Sequence, residues 1–450
     1  MTAPDLLERA RLVARRASKA GADAAEAYLS RSEQLEIKIV NGLVERTTES
    51  RSAGCGLRVE RGQRNGFAAT TDLTTRGLES LVETALAIAE RAPEDPDGCL
   101  PETQGAIFPT LDLVDPELEA ISFEQGVELA SRVESAALAS DPRMTPGEGS
   151  TFARGRGDVA IASTRGIEAA YSGTRCGLAC APVAVEGNER QRQVWHDGRR
   201  FFSNLETPEE VGRRAAERAL RMLGARTVAK CRAPVVFDPV EGARFWGGLV
   251  PALLGDAARR GISFLKDDLG RRIASTCVTL IEDPHVPRGP GSRPFDGEGL
   301  PTERLTLIER GVLTMFLYDT RTARRAGARS TGSAQRGYAD PPSPGASALH
   351  LAAGDSEPGD ILRSAGRGLY VTHLIGFGVN LVTGDYSRGA NGWWFEGGEF
   401  AFPVHEVTLS GNLRDLLPGI SLVGNDLVFR SAYASPTFLM EGFVISGRDA

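Results

Sequence analysis

The sequence predicts an α+β fold: a layered α/β N-terminal domain over residues 1–228, then a mainly β domain over 229–450. Three observations carry this. The chain has 450 residues, long for one core and comfortable for two domains. A strands-then-helix pattern occurs twice, near 34–92 and near 158–224, which reads as an internal duplication without sequence identity between the copies. Beyond residue 234, short apolar runs separated by glycine turns dominate.

The elements follow in order. Leu6, Leu7, Ala10, Val13, Ala14 and Ala17 fall at helical spacing and predict a helix over 4–19. Leu35, Ile37 and Ile39 alternate with polar residues, which is strand period, and Asn41-Gly42 then signals a tight hairpin. The return strand is expected over 43–48, and a second strand pair over 54–71 with its turn at 62–66. Residues 72–75 cap a helix bearing Leu78, Leu81, Val82, Ala85 and Ala89. The Pro-rich, acidic stretch 93–119 reads as a surface connection. Ser122 with Gln125 makes a capping box for a helix to about residue 140. Strand-like segments occupy 158–185, and Thr207-Pro208-Glu209-Glu210 opens a helix stopped by Gly224. In the second half, Val235-Val236-Phe237 reads as a buried strand and 240–260 as an interrupted helix. A hairpin turns at 309–311, and 285–300 and 338–347 are long loops of the kind that carry function.

Composition excludes several function classes. The net charge is −7, so binding to nucleic acid through its phosphates is not expected. Hydrophobic residues make up 41%, an ordinary globular value, and no apolar run reaches the roughly 18 residues of a membrane span. The first residues lack the basic start and apolar stretch of a secretory signal, and the cytoplasm is the expected compartment. Six cysteines include one close pair, Cys176 and Cys180, which without a second pair reads as small buried thiols. The five histidines are widely scattered, so no helix-borne His pair for zinc exists, and His405-Glu406 stands alone. Neither a P-loop nor a G-x-S-x-G elbow is present.

The densest cluster of polar groups is Gly384-Asp385-Tyr386-Ser387-Arg388-Gly389. It reads either as a tight turn, with Asp385 capping amides and Arg388 paired to a carboxylate, or as a loop that binds peptide or carboxylate. Trp393, Trp394 and Phe395 follow, as core or as a binding platform.

These segments resemble the TldD/PmbA family, once called modulators of DNA gyrase, and in particular its TldE (PmbA) branch. The resemblance rests on 378–389, on Pro403-Val404-His405-Glu406-Val407-Thr408-Leu409-Ser410-Gly411-Asn412-Leu413 and on Gly424-Asn425-Asp426. Further support comes from Asp296-Gly297-Glu298-Gly299-Leu300-Pro301-Thr302, the 311–319 hairpin, Thr331-Gly332-Ser333-Ala334, the Asn41-Gly42 hairpin and Gly56-Leu57-Arg58-Val59. The TldD branch is a zinc peptidase with H-E-x-x-x-H on a helix and a cysteine near the C-terminus. In this chain Trp246, Gly247 and Pro251 fall at the His, Glu and His positions, and no cysteine follows Cys277.

The resemblance therefore implies a chain with no catalytic and no metal-binding residues of its own. It implies a partner, a TldD-like chain carrying the zinc, with which this chain encloses a cavity for extended, unfolded peptides. The expected substrate-binding residues are Gly378, Asn380, Gly384, Asp385, Ser387 and Arg388, with 375–389 offering a strand edge to the peptide. Two alternatives remain. One is a homodimeric hydrolase of a biosynthetic pathway, which would need Asp385, Ser387, Arg388 and His373 to converge. The other is a regulatory protein acting on a topoisomerase.

Overall fold

The computed structural model describes residues 2–103 and 105–447. The N-terminal half is built as α1 (Ala3–Lys19), β1 (Ala24–Val40), β2 (Leu43–Arg61), β3 (Arg64–Thr70), α2 (Thr75–Arg91), α3 (Phe123–Ala139), β4 (Ser150–Ser163), β5 (Glu168–Cys180), β6 (Trp195–Arg199) and α4 (Pro208–Leu220). These six strands form one sheet in the order β3-β2-β1-β4-β5-β6, and three short strands within 144–192 form a separate small sheet. The duplication is visible in that order. Each copy is helix, three strands, helix, and the copies meet where β1 pairs antiparallel with β4, from Glu26↔Ser163 to Ile39↔Ser150.

Local chemistry sets these boundaries. Asn41 and Gly42 both take positive φ, 54° and 71°, as a two-residue hairpin turn requires. Ser122 and Gln125 form the expected capping box, and the Thr74 and Thr207 hydroxyls accept from the third amide of their helices. Strand alternation then sorts the faces. Ala25, Ala27 and Leu29 pack with α1 and α2, and Ile37 and Ile39 with α3 and α4. These residues share one parity, so all four helices cover the same face of the sheet. The intervening residues Glu26 and Tyr28 point to the opposite face, where Tyr28 packs near Phe295 of the second half.

Three expectations need correction. The return strand does not stop at residue 48, because β2 runs unbroken for 19 residues and stays in register with β1 through Gln34↔Ser50. Its polar, small middle hid the strand period. β4 begins at Ser150, earlier than the apolar run around 158 indicates. The 93–119 connection is not confined to the surface, since it buries Leu100, Leu113 and Leu118.

The C-terminal half contributes β7 (Cys231–Arg232), β8 (Val235–Phe237), α5 (Pro239–Leu249), β9 (Arg367–Ile375), β10 (Asp385–Glu396), β11 (Glu399–Asn412), β12 (Ile420–Val423), β13 (Phe438–Met440) and β14 (Val444–Ser446). They form a sheet in the order β7-β14-β11-β10-β9-β8-β13-β12, in which β8 and β9 are parallel. The α5 helix packs on it through Phe245, Trp246 and Leu249, within the largest apolar core of the molecule. Trp394 and Phe395 are buried, so that aromatic run is mostly core.

The acidic loop 296–302 joins the halves. Asp296 accepts from the amides of Glu298 (2.8 Å), Leu300 (3.0 Å) and Ala334 (3.0 Å). Glu298 accepts from Arg58 of β2 at 3.2 Å and from the Thr320 amide at 2.8 Å. Burial, together with the neighbouring Glu298, pushes the Asp296 carboxyl well above the usual carboxylate range. These carboxylates tie loops and domains together.

Candidate functional site

The helix α5 is where the resemblance places a metal motif. Asp238 caps it, accepting from the Glu241 amide at 2.7 Å, and Pro239 sets its first turn. Trp246 is fully buried, in edge contact with Phe245 at 5.3 Å between ring centroids and 6.0 Å from Phe438. A Cβ added at Gly247 would lie 2.8 Å from the Tyr433 ring, so an aromatic side chain already occupies the space a residue-247 side chain would enter. Pro251 is exposed in the short turn after the helix. An indole, a glycine and a proline offer no zinc ligand, so the donor set at these positions does not fit the metal. Among the described residues, no three His, Cys, Asp or Glu side chains are grouped to hold a metal ion. Cys176 and Cys180 are buried in the N-terminal core, and burial pushes both thiols up to about 12.

The six predicted substrate-binding residues lie together in the 376–384 loop and the start of β10. Gly376-Phe377-Gly378 bulges out between the Ile375↔Gly389 and Val379↔Tyr386 pairs, with Phe377 fully exposed, and Leu381-Val382-Thr383 form the turn at its tip. The Asn380 side chain accepts from the amides of Val382 (3.0 Å) and Thr383 (3.3 Å), and the Gly384 amide donates to the Asn380 carbonyl at 2.8 Å. Asp385 accepts from the Thr383 hydroxyl at 2.6 Å and from the Asn412 amide group at 3.0 Å. These hydrogen bonds hold the Asp385 carboxyl below the usual carboxylate range. Gly378 must be glycine because a Cβ there would meet the Ser387 carbonyl at 2.1 Å and Arg388 Cγ at 2.2 Å.

The strand edge expected along 375–389 fails over part of its range. Residues 385–389 offer no free strand edge. β11 pairs along one side of β10, Ile375 pairs Gly389 on the other, and the Ser387 amide donates to the Gly378 carbonyl at 2.8 Å. The loop folds back on its own strand and occupies the backbone edge at 385–387 that a peptide would need. Asp385, Ser387, Arg388 and His373 do not form a nucleophile–base chain either. His373 pairs across the sheet with Asn391, four residues along β10 from Ser387 and so roughly 13 Å away.

The structure instead brings together residues that the sequence left apart. Beside α5 lies a cavity of about 410 Å³ lined by Glu241 and Arg244 of α5, His373 of β9, His196 of β6, Arg218 of α4 and Arg192. Glu241 accepts from the Leu374 amide at 3.0 Å, lies 3.2 Å from Arg244 and 4.0 Å from His373 Nδ1. Burial, helped by Asp238, pushes its carboxyl up to about 7. The His373 side chain is held below its ordinary value by burial and by Arg244 and Arg218. No spacing signal links these positions, because they come from four separated segments.

Comparison with known proteins fits this architecture. Family models for the PmbA/TldA metallopeptidase match residues 25–89 (domain 1), 116–223 (central domain) and 230–447 (C-terminal domain). The chain belongs to the PmbA/TldD family. The metalloprotease PmbA of Escherichia coli O157:H7 is 35% identical over 445 residues, covering 98% of this chain and 96% of that one. The crystal structure of TM0727 from Thermotoga maritima MSB8 superposes with a TM-score of 0.89 at 26% identity, covering 98% of this chain and 99% of that one. TldE from Thermococcus kodakarensis shares the fold, with a TM-score of 0.88 at 22% identity over 98% of this chain and 100% of that one. The first two PmbA/TldD models share the six-stranded sheet, and the third spans the strand-rich half with α5 and the 376–384 loop. No helix among the described residues is long and apolar enough to cross a membrane.

Proposed function

We propose that this chain is the metal-free, TldE-like subunit of a cytoplasmic two-chain zinc peptidase. A TldD-like partner carries the zinc, and this chain shapes the chamber and holds an unfolded peptide. The observation that carries the reading is the state of α5. A member of a metallopeptidase family has Trp246, Gly247 and Pro251 at the motif positions, with Tyr433 packed where the acid would project. Metal chemistry, if this family's reaction runs here, must come from another chain.

What this chain's own residues do is position. The 376–384 loop is fixed by Asn380 and Asp385 and carries Phe377 outward between two glycines. Since its backbone pairs internally, it would contact peptide through side chains and through the tip.

The test measures zinc content and cleavage of an unstructured peptide, for this chain alone and mixed with a TldD-like chain from the same organism. The expected result is a metal-free, inert chain whose mixture cuts peptide. Stoichiometric zinc in this chain, or cleavage by it alone, would overturn the reading in favour of a homodimeric hydrolase.

A further inference from the structure

We infer that the cavity between α5 and the end of β9 is a receptor for a carboxylate of an extended peptide. The inference deepens the peptide-holding role proposed above and rests on it for the identity of the ligand.

The first argument is geometric. β8 pairs with β9 only as far as Phe237↔Val371, because Asp238 and Pro239 turn the chain into α5. The next stretch of β9 is left without a strand neighbour on that side. Side chains take over. The Arg218 guanidinium donates to the Thr372 carbonyl, and Glu241 accepts from the Leu374 amide. A peptide cannot add here as a strand. Recognition in this cavity therefore falls to side chains.

The second argument is charge. The groups facing the cavity are Arg192, Arg218, Arg244, His196, His373 and Glu241. Asp238 stands behind Arg218 at 3.2 Å, and Glu148 pairs with Arg192 at 2.9 Å on the outer side. Arg244 has 47% of its side chain exposed and only a 3.2 Å contact to Glu241, so part of its fork remains for a ligand. Arg218 Nε is buried without a partner. Burial first, and then the field of Arg244 and Arg218, hold both histidines below their ordinary value. The surroundings favour an added anion.

The third argument is fit. A guanidinium fork matches a carboxylate bidentately. Arg244, with His373 and His196 beside it, offers donors for one such group. Glu241 on the cavity wall opposes a more highly charged ligand. The volume admits the end of a peptide but not a folded domain. Ile375 lines the cavity and leads directly into the 376–384 loop, so a peptide crossing that loop can deliver its end here.

The test is fluorescence anisotropy of N-terminally labelled unstructured hexapeptides with the full chain at low salt. Four peptides are compared: C-terminal acid or amide, each with and without acidic side chains. Tighter binding of acids over amides by tenfold or more supports capture of the terminal carboxylate. Preference that follows acidic side chains supports the same site with the side chain as source. Arg244→Ala is expected to lose at least tenfold of that preference, with Arg244→Lys recovering part. His373→Gln is a second reporter, expected to lose severalfold. Equal affinity for all four peptides, displacement by inorganic phosphate more effective than by acetate, or an unaltered preference in Arg244→Ala would overturn the inference. Binding is read on this chain alone. A cut-incompetent mixture with retained acid preference would therefore refute the peptidase role and leave the site standing.

Discussion

Glu26 and Arg336 lie 310 positions apart in the chain, yet their side chains meet at 2.7 Å with neither exposed to solvent. Glu26 is on the sheet face opposite the helices, and Arg336 belongs to the C-terminal half. Glu26 also receives both Nε (2.9 Å) and Nη2 (2.7 Å) of Arg58, whose remaining nitrogen reaches Glu298. One carboxylate thus compensates two buried guanidiniums across the domain boundary.

That arrangement sets an order of effects. Glu26→Leu strips a partner from both Arg58 and Arg336 and is expected to destabilise the fold by about 3–5 kcal/mol, the cost of leaving buried charge uncompensated. Arg336→Met leaves Glu26 paired with Arg58 and removes one buried charge together with its guanidinium over the Tyr28 ring, without orphaning a carboxylate, so its cost should be smaller. Urea denaturation followed by tryptophan fluorescence ranks the two. An equal or reversed ranking would show that Glu26 is not the hub.

Glu241 gives a pH prediction. Its carboxyl is raised by burial and by Asp238 to about 7, against an ordinary value near 4.5. In this pH range the folded chain binds more protons at that site than the unfolded chain. The stabilising contribution is therefore full below about 4.5 and is lost as pH rises through about 7, an effect on the order of 3 kcal/mol at most. Glu241→Gln stays uncharged and is expected to flatten that part of the stability profile between pH 4 and 7. Parallel profiles for parent and variant would mean that Glu241 does not titrate there.

How much of this was legible in the sequence depended on distance along the chain. The Asn41-Gly42 turn and the Ser122–Gln125 capping box are local, and they stand as read. The middle of β2 is polar on both faces and carries no period, so its continuity came only from pairing with β1. The motif residues 378–389 were recognisable as a group, but the tightness of their turn was not. It depends on Asn412, contributed by another strand. The Glu26–Arg336 pair and the Glu241 cavity are products of tertiary assembly, and no short-range spacing encodes them.

The Tyr433 ring makes a sign-changing prediction at Gly247. In the parent chain, Gly247→Ala puts a methyl 2.8 Å from that ring and is expected to cost about 1–3 kcal/mol by overpacking. In a Tyr433→Ala background the clash is gone. There alanine is the better helix former by about 1 kcal/mol, and the same substitution should be neutral or stabilising. A double-mutant cycle by chemical denaturation reads the coupling. Additive effects would show that Tyr433 does not fill the space where the metal motif's acid would project.

The 376–384 loop is the last test, because there the fold and the proposed role predict different readouts. The Asn380 side chain holds two amides of an exposed turn, so Asn380→Ala loses local order worth about 1 kcal/mol per hydrogen bond and little global stability. If the loop holds peptide, the two-chain complex made with Asn380→Ala should show a KM raised severalfold with kcat nearly unchanged. Asn380→Asp, which can still accept from both amides, should restore most of the affinity. Steady-state cleavage of an unstructured peptide measures both parameters. A KM that does not move would remove this loop from the peptide-binding surface, and a fall in kcat alone would mean that the loop acts on the geometry of the partner's site.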